Sequence, residues 1–248
     1  MKEAVVVTGA AGGIGRACVS RLAALGFVVL GTIRNDDKAA SLGPSVRCIQ
    51  LDLSEPSQVA RAAEEIRAFR LPLRAVVNNA GTSRSGALED LPLEVVREVL
   101  EVNLIGPLQL TRSLLPELRA AGGRVVNVGS GEGFLSTPLN APYCMSKHAL
   151  EALSVCLRLE LAPSGIHVCV VSPGQTETAR LARARRQFVG LAARTSEPYQ
   201  DLVAARGRIA ERVGFSPDRV AEAIARAITD RRPRSRYFIG ADSRGAFL

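Results

Sequence analysis

Tyr143-Cys144-Met145-Ser146-Lys147 sets a phenol and an ammonium four residues apart. On a helix, residues at that spacing share one face, so both groups point into the same space. A free tyrosine titrates near about 10, too high for a good base at neutral pH. A neighbouring cation favours the phenolate and lowers that value. The pair is therefore a candidate acid/base, with Tyr143 moving the proton and Lys147 supplying the field. Cys144 and His148 flank it, but adjacent helical positions point elsewhere, and both are left out of the chemistry.

A second constellation concerns phosphate. Thr8-Gly9-Ala10-Ala11-Gly12-Gly13-Ile14-Gly15 follows a short apolar run and opens an amphipathic stretch. Gly9, Gly13 and Gly15 allow a tight turn, close approach of backbone to a ligand, and close packing of helix on sheet. The helix N-terminus then offers free N–H groups and a positive dipole end to a pyrophosphate. This is the context expected of a dinucleotide site, and Lys147 retains hydrogens to donate to the ribose of such a ligand.

The end of the next apolar run reports on which dinucleotide. A carboxylate there would accept from a ribose 2′-hydroxyl, whereas an arginine accommodates a 2′-phosphate. The run reads Leu30-Gly31-Thr32-Ile33-Arg34-Asn35. Ile33 stands where the acid would be, and Arg34 brings a planar, permanent cation. Asp36 and Asp37 come later and read as the start of the following helix. NADP(H) is expected, with NAD(H) the lesser alternative.

The spacing Gly9, Gly13, Gly15 resembles the TGxxxGxG loop of the short-chain dehydrogenase/reductase family, and Tyr143 with Lys147 matches its YxxxK motif. The resemblance covers nearly the whole chain. It implies a Rossmann-like α/β fold and an enzyme that interconverts alcohols and ketones with a nicotinamide cofactor. Asp52, followed by Leu53, resembles the family's adenine-contacting acid. Asn79-Ala80-Gly81 matches its NAG motif beside the cofactor. Pro173-Gly174 with Thr176 and Thr178 resembles its PGxxxT segment at the nicotinamide end. Ser130 matches the family serine that hydrogen-bonds the reacting oxygen, with Ser136, later in the loop, the lesser candidate. Asn103, in Val102-Asn103-Leu104, resembles the asparagine that orders a water behind the lysine. The implied cofactor-binding set is Gly9, Gly13, Ile14, Gly15, Arg34, Asp52, Leu53, Asn79, Ala80, Gly81, Tyr143, Lys147, Pro173, Gly174, Thr176 and Thr178. The implied catalytic set is Asn103, Ser130, Tyr143 and Lys147, and the mechanism needs no metal.

Within the family, Gly31-Thr32-Ile33-Arg34, Pro142-Tyr143-Cys144 and Arg236-Tyr237-Phe238 are most similar to the 17-beta-hydroxysteroid and retinol dehydrogenase branch. That implies a lipophilic secondary alcohol or ketone. A substrate lid is expected within residues 174–212, after the Pro173-Gly174 breaker. It carries Arg180, Arg183, Arg185, Arg186 and Arg194, besides Leu181, Phe188, Val189 and Leu191. With the apolar side chains inward the pocket suits a steroid or retinoid. With the arginines inward, a 3-oxoacyl thioester on a phosphorylated carrier is the alternative. A non-catalytic NADP-binding sensor or scaffold is a reading of another class, and it would be expected to lack the tyrosine, lysine or serine.

These residues need a frame to hold them. Short β-branched runs at Ala4–Thr8, Phe27–Ile33, Val46–Gln50, Ala75–Asn78, Arg124–Val128, Ile166–Val171 and Tyr237–Ile239 read as strands. They alternate with helical patterns over Ile14–Leu25, Pro56–Phe69, Pro92–Leu118, Ala141–Pro163 and Pro217–Thr229. Strands without polar alternation fit a parallel sheet covered on both faces, and the strand–helix rhythm predicts a doubly wound sheet of about seven strands. A length of 248 residues suits one such domain, residues 1–248. The helices Pro92–Leu118 and Ala141–Pro163 resemble those through which the family forms homodimers or homotetramers.

Composition narrows the partners. No apolar run is long enough for a membrane span or a signal peptide core, so a cytoplasmic protein is expected. Five scattered cysteines and two histidines lack zinc spacing and fit reduced thiols. The last 70 residues carry 15 basic and 7 acidic side chains, the whole of the net charge of +8. With few aromatics to stack bases, that excess reads as a solvated arginine-rich surface and not as a nucleic-acid site.

Overall fold

The computed structural model describes residues 2–34, 42–43, 46–178, 181–182, 190–204, 214–240 and 243. Seven strands form one sheet: β1 (Ala4–Val7), β2 (Val28–Ile33), β3 (Val46–Gln50), β4 (Leu73–Asn78), β5 (Arg124–Val128), β6 (His167–Pro173) and β7 (Arg236–Ile239). Their order is β3-β2-β1-β4-β5-β6-β7, and every pairing is parallel. The order reverses between β1 and β4, where a crevice opens beyond the carboxyl ends of the strands. The chain is a doubly wound, Rossmann-like single domain, as expected.

The β-branched runs build this sheet because the five inner strands, β2, β1, β4, β5 and β6, are buried on both faces, whereas the edge strands β3 and β7 are partly exposed. Val5 and Val7 of β1 join one core with Val77, Val126 and Val171 under α1 (Gly13–Ala24) and α7 (Pro217–Thr229). Ala4 and Val6 point the other way, into a core closed by α2 (Pro56–Ala68), α4 (Gly106–Ser113), α5 (Leu115–Ala121) and α6 (Ala141–Leu161). Burying both faces leaves no room for polar alternation.

The expected long helix Pro92–Leu118 is a correction. It divides into α3 (Leu93–Leu100), a π-turn (Glu101–Ile105), α4 and α5. Pro107 has no N–H to bond the Asn103 carbonyl four residues back, and its ring crowds that carbonyl. The chain responds with a wider turn in which Gly106 N–H bonds Glu101 O. Pro116 causes the second break in the same way, at Arg112.

Candidate active site

The glycine loop runs from β1 into α1 at the switch point. Gly9 has a left-handed φ of 64°, and a Cβ there would come within 3.0 Å of Ala80 Cα. Thr8, which sequence reasoning passed over, fastens this loop to the NAG segment. Its Oγ1 accepts from the N–H groups of Asn79 and Ala80, both at 2.9 Å. The Asn79 amide donates back to Thr8 O at 2.8 Å. A Cβ on Gly13 would stand 2.7 Å from Thr178 Cγ2, so the far PGxxxT segment closes directly over the loop. Thr176 Oγ1 donates to Gly174 O and keeps the start of that segment folded.

These residues fit a dinucleotide. The N-cap of α1 is Gly12, which brings no side chain to the helix N-terminus, and the first turn holds no acid. The orphan N–H groups and positive dipole end there are thus left to a pyrophosphate. Arg34 is exposed at the end of β2, beside a loop tied to that strand by Ala10 N–H and Thr32 O at 3.0 Å. Arg16 is a second guanidinium at the loop, its Nε donating to Ala11 O at 2.9 Å. Asp36 and Asp37 lie outside the described residues. Asp52 follows β3 and holds Ser54 N–H and Oγ through Oδ1, in an Asx turn that leads into α2. Leu53 O backs onto Gly106, where a Cβ would lie 2.2 Å away.

Tyr143 and Lys147 sit in the first turns of α6, just 3 % and 5 % exposed. The Lys147 ammonium lies 5.7 Å from the centre of the Tyr143 ring and donates to Val128 O at 2.8 Å. The carbonyl at the end of β5 thus aims the cation that the spacing paired with the phenol. Ser130 follows two residues later, at the head of the turn Gly131–Gly133, and its Oγ accepts from Glu132 N–H at 3.2 Å. Ser136 is exposed. His148 is exposed too, its Nδ1 2.9 Å from Cys144 O, away from the pair.

Asn103 is buried in the π-turn with its side chain fully engaged. Nδ2 donates to Thr82 O and Ser146 Oγ, both at 2.9 Å, and Oδ1 accepts from Thr82 N–H at 2.8 Å. Ser146 Oγ in turn donates to Tyr143 O at 2.7 Å. A hydrogen-bonded chain therefore runs from the loop after β4 to the backbone of Tyr143. What Asn103 can offer a water is its carbonyl, which Pro107 leaves without its ordinary helical donor. Ser146 was missed by sequence reasoning, although its place beside Lys147 was the available signal.

The described part of the segment expected as a lid packs apolar groups against the loops after β4 and before α6. Leu191 and Val203 are buried against Ala87, from the loop after β4, and Leu139, from the loop before α6, with Tyr199 packed on them. Arg194 is exposed, its Nε donating to Gly190 O. Ser196 ties the segment to Asp90 through its N–H and hydroxyl, and these two bonds hold the Asp90 carboxyl below its ordinary range. Leu181 lies half-buried. Arg180, Arg183, Arg185, Arg186, Phe188 and Val189 lie outside the described residues.

A glycine loop thus lies at the switch point, and a buried phenol and ammonium share the first turns of α6. Residues 3–188 match the model of the short chain dehydrogenase family. The chain belongs to this family. It is 32% identical over 253 residues to the uncharacterized oxidoreductase YusZ of Bacillus subtilis (strain 168), covering 96% of this chain and 89% of that one. It is 33% identical to human 11-beta-hydroxysteroid dehydrogenase type 2, covering 96% of this chain but 64% of that protein. The crystal structure of a short-chain dehydrogenase from Streptomyces avermitilis superposes with a TM-score of 0.85 at 30% identity, over 100% of this chain and 92% of that one. The chain is an NAD(P)-dependent oxidoreductase of this family, with steroid dehydrogenases among its relatives. Among the described residues no helix is long and apolar enough to cross a membrane, and no cluster of His, Cys, Asp or Glu has the makings of a metal site.

Proposed function

We propose that this enzyme interconverts a lipophilic ketone and its secondary alcohol, of steroid or retinoid size, using NADP(H). The observation that carries the substrate class is the lid. Its described part turns Leu191, Val203 and Tyr199 inward and Arg194 to solvent. Apolar walls with a few aimed polar groups suit a largely hydrocarbon ligand. The likeness to 11-beta-hydroxysteroid dehydrogenase type 2 supports the same reading. The lid is taken to span residues 174–212.

Bound NADP(H) supplies the hydride donor or acceptor. The chain's own residues do the rest. The N-terminus of α1, with Gly13, Ile14 and Gly15, holds the pyrophosphate, and Asp52 and Leu53 face the adenine. Arg34 and Arg16 favour a 2′-phosphate by charge and planar donors. Asn79, Ala80 and Gly81 support the cofactor beside the glycine loop, and Pro173, Gly174, Thr176 and Thr178 hold its nicotinamide end. In ketone reduction, Tyr143 donates a proton to the carbonyl oxygen while Ser130 donates a hydrogen bond to it, where negative charge develops. Lys147 steadies the phenolate left on Tyr143, and the Asn103 carbonyl orders the water that returns the proton. Oxidation runs these steps in reverse.

The stripe Met145, Ala152, Val155 and Leu159 on α6 is exposed, which supports a homodimer or homotetramer closed over that helix. The thiols of Cys18, Cys144, Cys156 and Cys169, in no disulfide, support a reducing, cytoplasmic setting. The test is a panel of oxosteroids, retinoids, small ketones and 3-oxoacyl thioesters, followed by NADPH absorbance and repeated with NADH. Fastest turnover is expected for a steroid or retinoid with NADPH. Preference for a thioester would overturn the substrate class, and preference for NADH would overturn the argument from Arg34.

A further inference from the structure

Helix α6 carries a third buried polar residue in step with Tyr143 and Lys147. Glu151 stands one turn beyond Lys147, and the proposed reaction gives it nothing to do. Its Oε2 accepts from Arg236 Nη2 of β7 at 2.6 Å, and its Oε1 accepts from Ser172 Oγ of β6 at 3.1 Å. The carboxylate side chain is 8 % exposed. A buried ion pair is an expensive way to join three elements, so its surroundings matter.

Those surroundings are the Ser130 turn. A Cβ on Gly129 would lie 3.0 Å from Glu151 Oε1 and 2.9 Å from Ser172 Oγ. A Cβ on Gly133 would lie 3.1 Å from Glu151 Cγ and 3.2 Å from Lys147 O. Glycines flank Ser130 on both sides because helix α6, at Glu151, presses directly on the turn. The far end of the turn is Phe134. The Arg236 guanidinium lies 4.9 Å from the centre of that ring and 5.9 Å from the ring of Phe238, and the two rings are 5.8 Å apart. The turn is thus held at Gly129 and Gly133 by the carboxylate and at Phe134 by its cation.

We infer that Glu151 and Arg236 are positioning residues for Ser130, a clamp that fixes the hydroxyl where the reacting oxygen arrives. The inference rests on Ser130 donating to that oxygen, as proposed above. A hydroxyl pre-aimed at developing charge is worth far more than one that must reorient, and lysine is not a conservative replacement for an arginine that meets both a carboxylate and an aromatic ring.

The test is a double-mutant cycle of Arg236→Met and Ser130→Ala in the full chain, using the fastest ketone of the panel. Arg236→Met is expected to lower kcat about 10-fold with NADPH affinity unchanged, Ser130→Ala about 100-fold or more, and the double variant no further than Ser130→Ala alone. Phe134→Leu leaves the ion pair in place and is expected to show the same kcat loss; Arg236→Lys, which keeps the charge, is expected to restore little. Hydrogen exchange of residues 129–135 is expected to quicken in Arg236→Met and Phe134→Leu. Effects that multiply in the double variant, or unaltered exchange and kcat in both Arg236→Met and Phe134→Leu, would overturn the clamp and leave the role of Ser130 standing. Full turnover in Ser130→Ala would instead overturn that role, and the clamp with it.

Discussion

A methyl group on Gly15 would sit 2.2 Å from Gly9 O and 2.9 Å from Ala10 O. The contacts are with backbone, so no rotamer can relieve them. Gly15→Ala is therefore expected to push the glycine loop off α1 and weaken NADPH binding by 10-fold or more, read from the fluorescence of bound NADPH. Wild-type affinity would contradict this account of the loop. Arg34 acts by charge instead of shape. Removing one charged hydrogen bond costs roughly 1.5–3 kcal/mol, so Arg34→Ala is expected to weaken NADPH about 10- to 100-fold while leaving NADH nearly unaffected. Equal losses for both nucleotides would place Arg34 away from the 2′-phosphate. At this scale the sequence spoke clearly wherever a residue type has one use. Gly13 and Gly15, or Tyr143 and Lys147, are legible because few other residues tolerate those backbone approaches or that chemistry. Thr8, Ser146 and Glu151 were not, because their partners are 71, 43 and 85 positions away along the chain.

Between elements, the feature that most shapes the site is the π-turn. Pro107→Ala restores an N–H that can bond Asn103 O, so α3 and α4 can join as a regular helix. The variant is expected to be at least as thermostable as the wild type and to lose turnover several-fold, with NADPH affinity intact. Unchanged kcat would mean that the Asn103 carbonyl plays no part. A chain of polar groups crosses the core nearby. The Asn78 amide donates to Thr111 Oγ1 and Asn127 Oδ1, and the Asn127 amide to Ser154 Oγ, at 2.8–3.0 Å. All four residues are buried, so Asn127→Val strands two partners and is expected to cost about 1–3 kcal/mol, seen as a lower Tm. The inner strands were legible because residues buried on both faces make continuous apolar runs. β3 and β5 fall where the sequence put them, and the others differ by a residue or two at their ends. The long helix was not legible as broken, since its apolar period carries through Gly106-Pro107; the proline itself was the signal. Asn78 and Asn127, two amides in apolar strands, were likewise visible as residues but not as partners.

For the molecule as a whole, some arginines outside the basic last 70 residues have a structural use. Arg124, buried at the start of β5, donates to Ala227 O and Asp230 O at the C-terminus of α7, and Arg74 donates to Ile228 O. Cations there complete the open carbonyls and oppose the helix dipole. The apolar stripe of α6 is a different surface, and Leu159, 71 % exposed, is its most open point. Leu159→Glu is expected to shift the protein to a smaller species in light scattering; a mass unchanged from an oligomeric wild type would move the interface elsewhere. Everything else in this account depends on the buried phenol. The most direct measurement is ketone-dependent NADPH oxidation by Tyr143→Phe, with NADPH binding followed in parallel. Phenylalanine keeps the ring and removes the proton, so kcat is expected to fall by about 100-fold or more with nucleotide affinity unchanged. Turnover at the wild-type rate would contradict the mechanism.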